Sequence, residues 1–341
     1  GEGWWRRPDR FLCKPVATPS AVADLAIRGQ FKSNVVQPIL ITGATGTLGS
    51  AYARICKNRN LAFHVLTRHE MDITDPASVE AAIQRYKPWA IINAGGYVRV
   101  DEAEGDAERC MRENTLGPTI LALACIRHQL RFMTFSTDLV FDGRLDRPYL
   151  ESDPPSPLNV YGRSKAEMEA RVSRILPGAL IVRTSAFFGP WDDSNFITQT
   201  LAALAEGRTV TAVDDEIVSP TYVVDLVHAV LDLLIDGESG VWHLANRGAI
   251  TWAALARLAA ELAGVTAGRV QSRPTYGLRR PARRPRYSVL GSERGALMPL
   301  LEDALQRFMQ DREAPFTRVG SVSSGPARKQ AEAAAHVMAQ P

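Results

Sequence analysis

Apolar residues recur along this chain in two alternating rhythms. Pro38-Ile39-Leu40-Ile41-Thr42 is a continuous apolar run that reads as a buried strand. A Gly43–Gly49 loop then opens a helix with apolar periodicity through Ile55, and Leu61 to Thr67 reads as a second strand. Asp75-Pro76 starts another helix, with a capping side chain followed by proline in the first turn. Trp89 to Asn93 is a third strand, and one long helix is predicted over Ala107 to His128. Phe132 to Ser136 and Ala179 to Arg183 supply two more strands. Strands separated by helices of this length predict an α/β fold with a Rossmann-type doubly wound parallel sheet. The nucleotide-binding domain is placed at 38–189, receiving in addition part of 222–246.

After Gly189 the rhythm changes. Pro190-Trp191-Asp192-Asp193 is a loop, Phe196 to Glu206 a helix and Val210 to Val213 a short strand. Thr251 to Gly264 is an amphipathic helix that Thr251 caps. Residues 190–312 are therefore expected to form a smaller C-terminal α/β substrate lobe closing over the carboxyl ends of the sheet. Five arginines crowd into positions 279 to 286 of that lobe. Residues 313–341, rich in Gly, Ser and Ala, read as a flexible tail. Residues 1–37 read as an N-terminal extension, where Trp4-Trp5-Arg6-Arg7 suggests a surface tether or an arm for a protein partner. No methionine precedes Met71, so the natural start is expected upstream.

Composition narrows the function classes. The 341 residues are 45% hydrophobic and 23% charged, with a formal net charge of +3, which gives no electrostatic footprint for nucleic acid. No apolar run approaches the roughly 20 residues that span a membrane, and none serves as a signal peptide. Four cysteines without paired or metal-ligand spacing suggest reduced, packed thiols and a cytoplasmic setting.

The candidate chemistry centres on Tyr161-Gly162-Arg163-Ser164-Lys165. Residues four apart share a helix face, so the phenol and the ammonium can reach one bound molecule. The lysine charge is expected to lower the tyrosine pKa, making it a proton donor to a carbonyl that receives hydride. The glycine loop between strand and helix fits a dinucleotide fingerprint: tight turn, close backbone approach, and helix-terminal amides for pyrophosphate. Arg68 ends the second strand where an NAD-selective enzyme usually places an acid. It points to the 2′-phosphate of NADPH, with NADH as the alternative, while Asp72 is a candidate acceptor for the adenine amino group.

Gly43-x-x-Gly46-x-x-Gly49, Asn93-Ala94-Gly95-Gly96, Asn114 and Tyr161-x-x-x-Lys165 together resemble the extended short-chain dehydrogenase/reductases. Met71-Asp72-Ile73-Thr74, Tyr97 to Glu104, Ser136 to Gly143, Ser219 to Tyr222, Trp242 to Asn246 and Arg284 to Leu290 resemble the dTDP-4-dehydrorhamnose reductase branch. The similarity runs in order from about residue 38 to 312. It implies NADPH-dependent reduction at C4 of a 4-keto-6-deoxy nucleotide sugar, completing dTDP-L-rhamnose. Tyr161 is then the proton donor, Lys165 its tuner, Thr137 a second donor to the carbonyl, and Asn114 part of a proton relay. The implied cofactor surface comprises Gly43, Thr45, Gly46, Thr47, Leu48, Gly49, Arg68, Asp72, Ile73, Asn93, Ala94, Gly95, Tyr97, Asn114, Tyr161 and Lys165. Val98, Thr137, Asp138, Tyr161, Asn195 and Arg284 are the implied substrate contacts, Arg284 serving the diphosphate.

The chain departs from the family pattern at Ala186 and Leu139, where aromatics are usual, and at Glu102, where lysine is common. Ser50 stands where some relatives hold a metal-binding acid, so no metal is expected. Two other readings share the fold: a non-catalytic NADP-binding regulatory subunit, and a nucleotide-sugar epimerase. A homodimer is a further expectation.

Overall fold

The computed structural model describes residues 36–313. The expectations for the N-terminal extension up to residue 35 and for the tail beyond residue 313 lie outside the described residues. Six strands form one parallel sheet: β1 (Ile39–Thr42), β2 (Phe63–Leu66), β3 (Ala90–Asn93), β4 (Arg131–Thr137), β5 (Leu180–Thr184) and β10 (Gly240–His243). Their spatial order is β2-β1-β3-β4-β5-β10, so the chain leaves β1 in one direction and then crosses back to the other side. Such a reversal opens a crevice beyond the carboxyl ends of the strands.

Helices cover both faces. Helix α1 (Thr47–Asn58) and helix α7 (Val223–Asp236) pack on one side, where Leu48, Tyr52 and Ile55 meet Val227, Val230 and Leu234. Helix α2 (Pro76–Tyr86), helix α4 (Gly117–His128) and helix α5 (Val160–Ile175) cover the other, through Val79, Ile83, Leu121, Cys125, Met168 and Val172. With both faces covered, the central strands are apolar at nearly every position rather than alternating. Asp75 caps α2 as its sequence suggests, accepting from the Ala77 amide.

The long helix predicted over 107–128 is not uniform. It runs as α3 (Ala107–Met111), a π-helical turn at Arg112–Leu116, and α4. The extra residue per turn lies around Asn114, and π-turns inside α-helices often mark functional positions.

Three short pairs build the smaller lobe: β6 (Phe187–Phe188) with β9 (Thr221–Tyr222), β7 (Val210–Val213) with β12 (Val270–Arg273), and β8 (Ile217–Val218) with β11 (Ile250–Thr251). Helices α6 (Phe196–Ala205), α8 (Trp252–Leu262) and α9 (Leu301–Glu313) share a second apolar core through Leu201, Leu255, Ala259, Leu305 and Phe308. Thr251 caps α8 through the Ala254 amide, as its position predicts. The arginine-rich segment ties this lobe to the sheet: Asn159 donates to the Arg283 carbonyl and Asp101 accepts from the Ala282 amide.

Candidate active site

The glycine loop is shaped by backbone proximity. Gly43 has φ +83°, and a Cβ there would lie 2.6 Å from the Ala94 carbonyl oxygen; one at Gly49 would lie 2.1 Å from the Gly43 oxygen. Only glycine fits either place, so β1, α1 and the Asn93-Ala94-Gly95 turn close onto one another. The Asn93 carboxamide accepts from Thr42 at 2.8 Å and donates to Thr134 at 3.1 Å, while the Gly95 amide donates back to Thr42. These bonds knit the carboxyl ends of β1 and β3 to the middle of β4.

Helix α1 starts at Gly46 with no side-chain cap and no acid in its first turn, whereas Asp75, Asn159, Asn195 and Thr251 cap α2, α5, α6 and α8. Its leading amides point into a glycine-lined cradle where an added Cβ would intrude. This donor set fits a dinucleotide pyrophosphate. Thr45 and Gly46 are exposed and Leu48 is buried. The Thr47 hydroxyl donates to Asp192 at 2.7 Å, a contact from the smaller lobe that no sequence pattern marks.

Arg68 is half-exposed and held between two carboxylates, Asp72 at 3.1 Å and Glu113 at 3.0 Å. Asp72 also accepts from the Thr74 amide and hydroxyl through its other oxygen, so both oxygens serve a turn at the sheet edge. Ile73 packs against Gly117 where α4 begins. Asn114, fully buried in the π-turn, accepts from the Tyr97 amide at 2.9 Å and donates to the Tyr97 carbonyl and to Ser164, each at 3.0 Å. One carboxamide thus joins the turn after β3 to the helix that bears Tyr161.

Helix α5 is capped by Asn159, which accepts from the Gly162 amide at 2.7 Å. A Cβ on Gly162 would stand 2.2 Å from the Leu139 oxygen, so glycine lets the helix start press against the Asp138–Val140 turn. That approach brings the Tyr161 phenol beside the Thr137 hydroxyl. The Lys165 ammonium is buried, donates to the Phe135 carbonyl at 3.1 Å and lies 6.0 Å from the centre of the tyrosine ring. Burial pushes the lysine down to about 8, against the raising influence of Cys110 and Glu169.

One electrostatic expectation is reversed. The lysine is expected from the sequence to lower the tyrosine pKa, yet burial and the nearby Asp138 and Cys110 raise it, with only the neighbouring Thr137 hydroxyl opposing. Desolvation dominates over any pull from the lysine, so Tyr161 is a neutral phenol carrying its proton. Asp138 is itself buried and pushed up by desolvation, although it accepts from Thr137 at 3.1 Å and from Ser288 at 2.5 Å.

The remaining substrate-side residues divide. Val98 is exposed, 73% accessible. Asn195 caps α6 through the Thr198 amide and donates to the Gly189 and Asp192 carbonyls, so its carboxamide staples the loop. Arg284 forms a two-pronged ion pair with Asp101, both contacts at 2.8 Å. Arg279, Arg283 and Arg286 are exposed and make no side-chain hydrogen bond among the described residues. Leu139 donates its amide to the Thr137 hydroxyl, and Ala186 holds the left-handed φ of +43° after β5. Asp101, Glu113, Ser164 and Ser288 carry these contacts without having been singled out in the sequence; each lies far along the chain from at least one partner.

A parallel sheet with its glycine cradle, and a Thr-Tyr-Lys group beside it under a second lobe, define an extended short-chain dehydrogenase/reductase. The family model described as RmlD substrate binding domain matches residues 37–310. The chain belongs to the dTDP-4-dehydrorhamnose reductase family. A Streptomyces niveus protein named dTDP-4-keto-6-deoxy-D-glucose reductase is 38% identical over 255 residues, 74% of this chain and 88% of that one. A dTDP-4-dehydrorhamnose reductase of Mycolicibacterium smegmatis is 37% identical over 301 residues, 86% of this chain and 89% of that one. The solved structure of the Bacillus anthracis dTDP-4-dehydrorhamnose reductase in complex with NADP is similar with a TM-score of 0.78 and 29% identity, covering 81% of this chain and all of that one (100%).

Proposed function

We propose that this protein is an NADPH-dependent reductase acting at C4 of a dTDP-linked 4-keto-6-deoxyhexose, converting dTDP-4-dehydro-L-rhamnose to dTDP-L-rhamnose. The carrying observation is the Thr137–Tyr161 hydroxyl pair beside a buried Lys165, at the mouth of an uncapped, glycine-lined helix terminus. When bound, NADPH supplies the hydride that adds to the substrate carbonyl carbon. The chain's own residues then act on the oxygen, which gains negative charge as the hydride arrives. Tyr161 hands over its proton, and Thr137, its hydrogen turned away from Asp138, donates a second hydrogen bond. Lys165 holds a positive charge close enough to offset the phenolate left behind. Asn114 fixes Tyr97 against the tyrosine helix, and Arg68, released from Glu113, offers its guanidinium to the 2′-phosphate.

Arg284 was the first candidate for the substrate diphosphate. Its guanidinium is committed to Asp101, so a diphosphate would have to compete for it, whereas the exposed Arg279, Arg283 and Arg286 make no side-chain hydrogen bond among the described residues. We infer a cytoplasmic enzyme with a dissolved nucleotide-sugar substrate, working as a homodimer or with a protein partner bound through the N-terminal extension. NADPH oxidation with a panel of dTDP-4-keto-6-deoxyhexoses of different configuration tests the activity. Turnover of the rhamnose-configured ketone is expected to exceed the others; NADPH binding without turnover of any of them overturns the reading in favour of a regulatory subunit.

A further inference from the structure

Below the candidate active site, helix α5 carries a charged residue that the proposed chemistry does not use. Tyr161, Lys165 and Glu169 follow at four-residue steps on one face of the helix. Glu169 and Arg183 of β5 form a two-pronged ion pair, with Nε to Oε1 at 2.9 Å and Nη2 to Oε2 at 2.7 Å. Both side chains are almost fully buried, at 6% and 3% accessible. The far side of the guanidinium is also occupied: Nη1 donates to His243 Nε2 on β10 at 3.2 Å, and Cζ lies over the Phe141 ring, 5.0 Å from its centre. His243 Nδ1 faces the carbonyl oxygens of Tyr149 at 3.1 Å and Gly291 at 2.8 Å. The hydrogen therefore sits on Nδ1, and the neutral Nε2 accepts from the arginine.

The position of this group matters more than its charge. In the β4–β5 register Arg183 pairs with Ser136, and the next pair is Thr184 with Thr137. The fork thus joins the tyrosine helix to the strand hydrogen-bonded alongside Thr137, one helical turn beyond Lys165. Between Val160 and Met168 the buried residues of α5 are glycine or polar: Gly162, Ser164 and Lys165. Apolar contact is non-directional, and the Ser164–Asn114 and Lys165–Phe135 carbonyl contacts of this stretch each rest on one hydrogen bond. A planar guanidinium matched to a carboxylate does fix distance and angle. A buried pair of this sort adds little net stability over apolar residues of equal volume, so its contribution here is geometric.

We propose that Glu169 and Arg183, backed by His243, are positioning residues that set the distance between Tyr161 on helix α5 and Thr137 on strand β4. This rests on the reductase reading above. Hydride and proton transfer tolerate little misplacement, and an error of about 1 Å can cost on the order of 10²-fold in rate.

The test uses the full chain, two variants and wild-type protein measured alongside. One variant, Glu169→Gln with Arg183→Met, removes both charges together; the other, Arg183→Lys, keeps the charge and loses the fork. Each is assayed for melting temperature, NADPH Kd by fluorescence, kcat, KM, and the isotope effect on kcat with 4-deuterated NADPH. The expected result is a folded variant with Kd and KM within about threefold of wild type, kcat lowered at least about tenfold, and a larger isotope effect. A folded variant with wild-type kcat overturns the proposal. So does loss of both the melting transition and NADPH binding in both variants, because the pair would then determine the fold and not the site. Absence of turnover by the wild type would instead count against the reductase reading itself.

Discussion

A tyrosine whose proton is held by burial behaves differently from one poised as a phenolate, and the difference is measurable. Tyr161→Phe is expected to lower kcat by about 10²–10⁴-fold, the usual yield of general acid catalysis, with NADPH Kd near wild type. Retention of more than a tenth of the rate would sink the assignment. Lys165 gives two opposite pH trends. Its pKa in the folded chain, about 8, lies below the ordinary 10.5, so above pH 8 the unfolded chain binds more protons than the folded one. Stability from this group therefore rises with pH between about 8 and 10, by up to about 3 kcal/mol at 1.36 kcal/mol per pKa unit. Over the same interval the neutralised lysine no longer offsets the phenolate, and kcat should fall. Urea unfolding and a kcat profile across that range check both signs. Arg68→Ala is expected to weaken NADPH binding by about 1–3 kcal/mol and NADH binding much less. Equal losses would assign the guanidinium to Asp72 and Glu113 alone.

At the level of elements, much was legible because the signals were local. The glycine loop, the Asp75 and Thr251 caps and the Tyr-x-x-x-Lys step each involve residues within a few positions of one another. The π-turn was not legible, since its cause is tertiary: Asn114 must reach Tyr97 and Ser164 at once. The partners that complete the site are equally invisible to periodicity. Arg284 and Asp101 stand 183 residues apart and Ser288 and Asp138 stand 150 apart. Asn195 illustrates the ambiguity of a motif residue whose side chain already caps a helix. Asn195→Ala should cost about 1 kcal/mol through the lost α6 cap while leaving the sugar KM unchanged. A raised KM with no change in melting temperature would place the carboxamide on the substrate instead.

The whole molecule joins parts of the chain that sequence order separates. Strand β10 and helix α7 come from residues 223–243, after most of the smaller lobe's first half, yet they complete the sheet next to β5 and cover α1. The apolar run of β10 is short and the glycine at its start interrupts the pattern, which is why its place in the sheet was seen only coarsely. For a chain emerging from the ribosome this order has a cost. Until residue 243 is available, β5 presents an unpaired edge and the flank of α1 that α7 covers has no partner, both surfaces that invite association with other chains. A chain ended after Tyr222 should accumulate as aggregate, whereas one ended after Glu313 should stay in the supernatant and bind NADPH. Sedimentation and fluorescence titration would distinguish them. The nucleotide-binding half of the protein thus becomes competent only late in its own synthesis, and its dependence on chaperones should be greatest while residues 185–243 are being made.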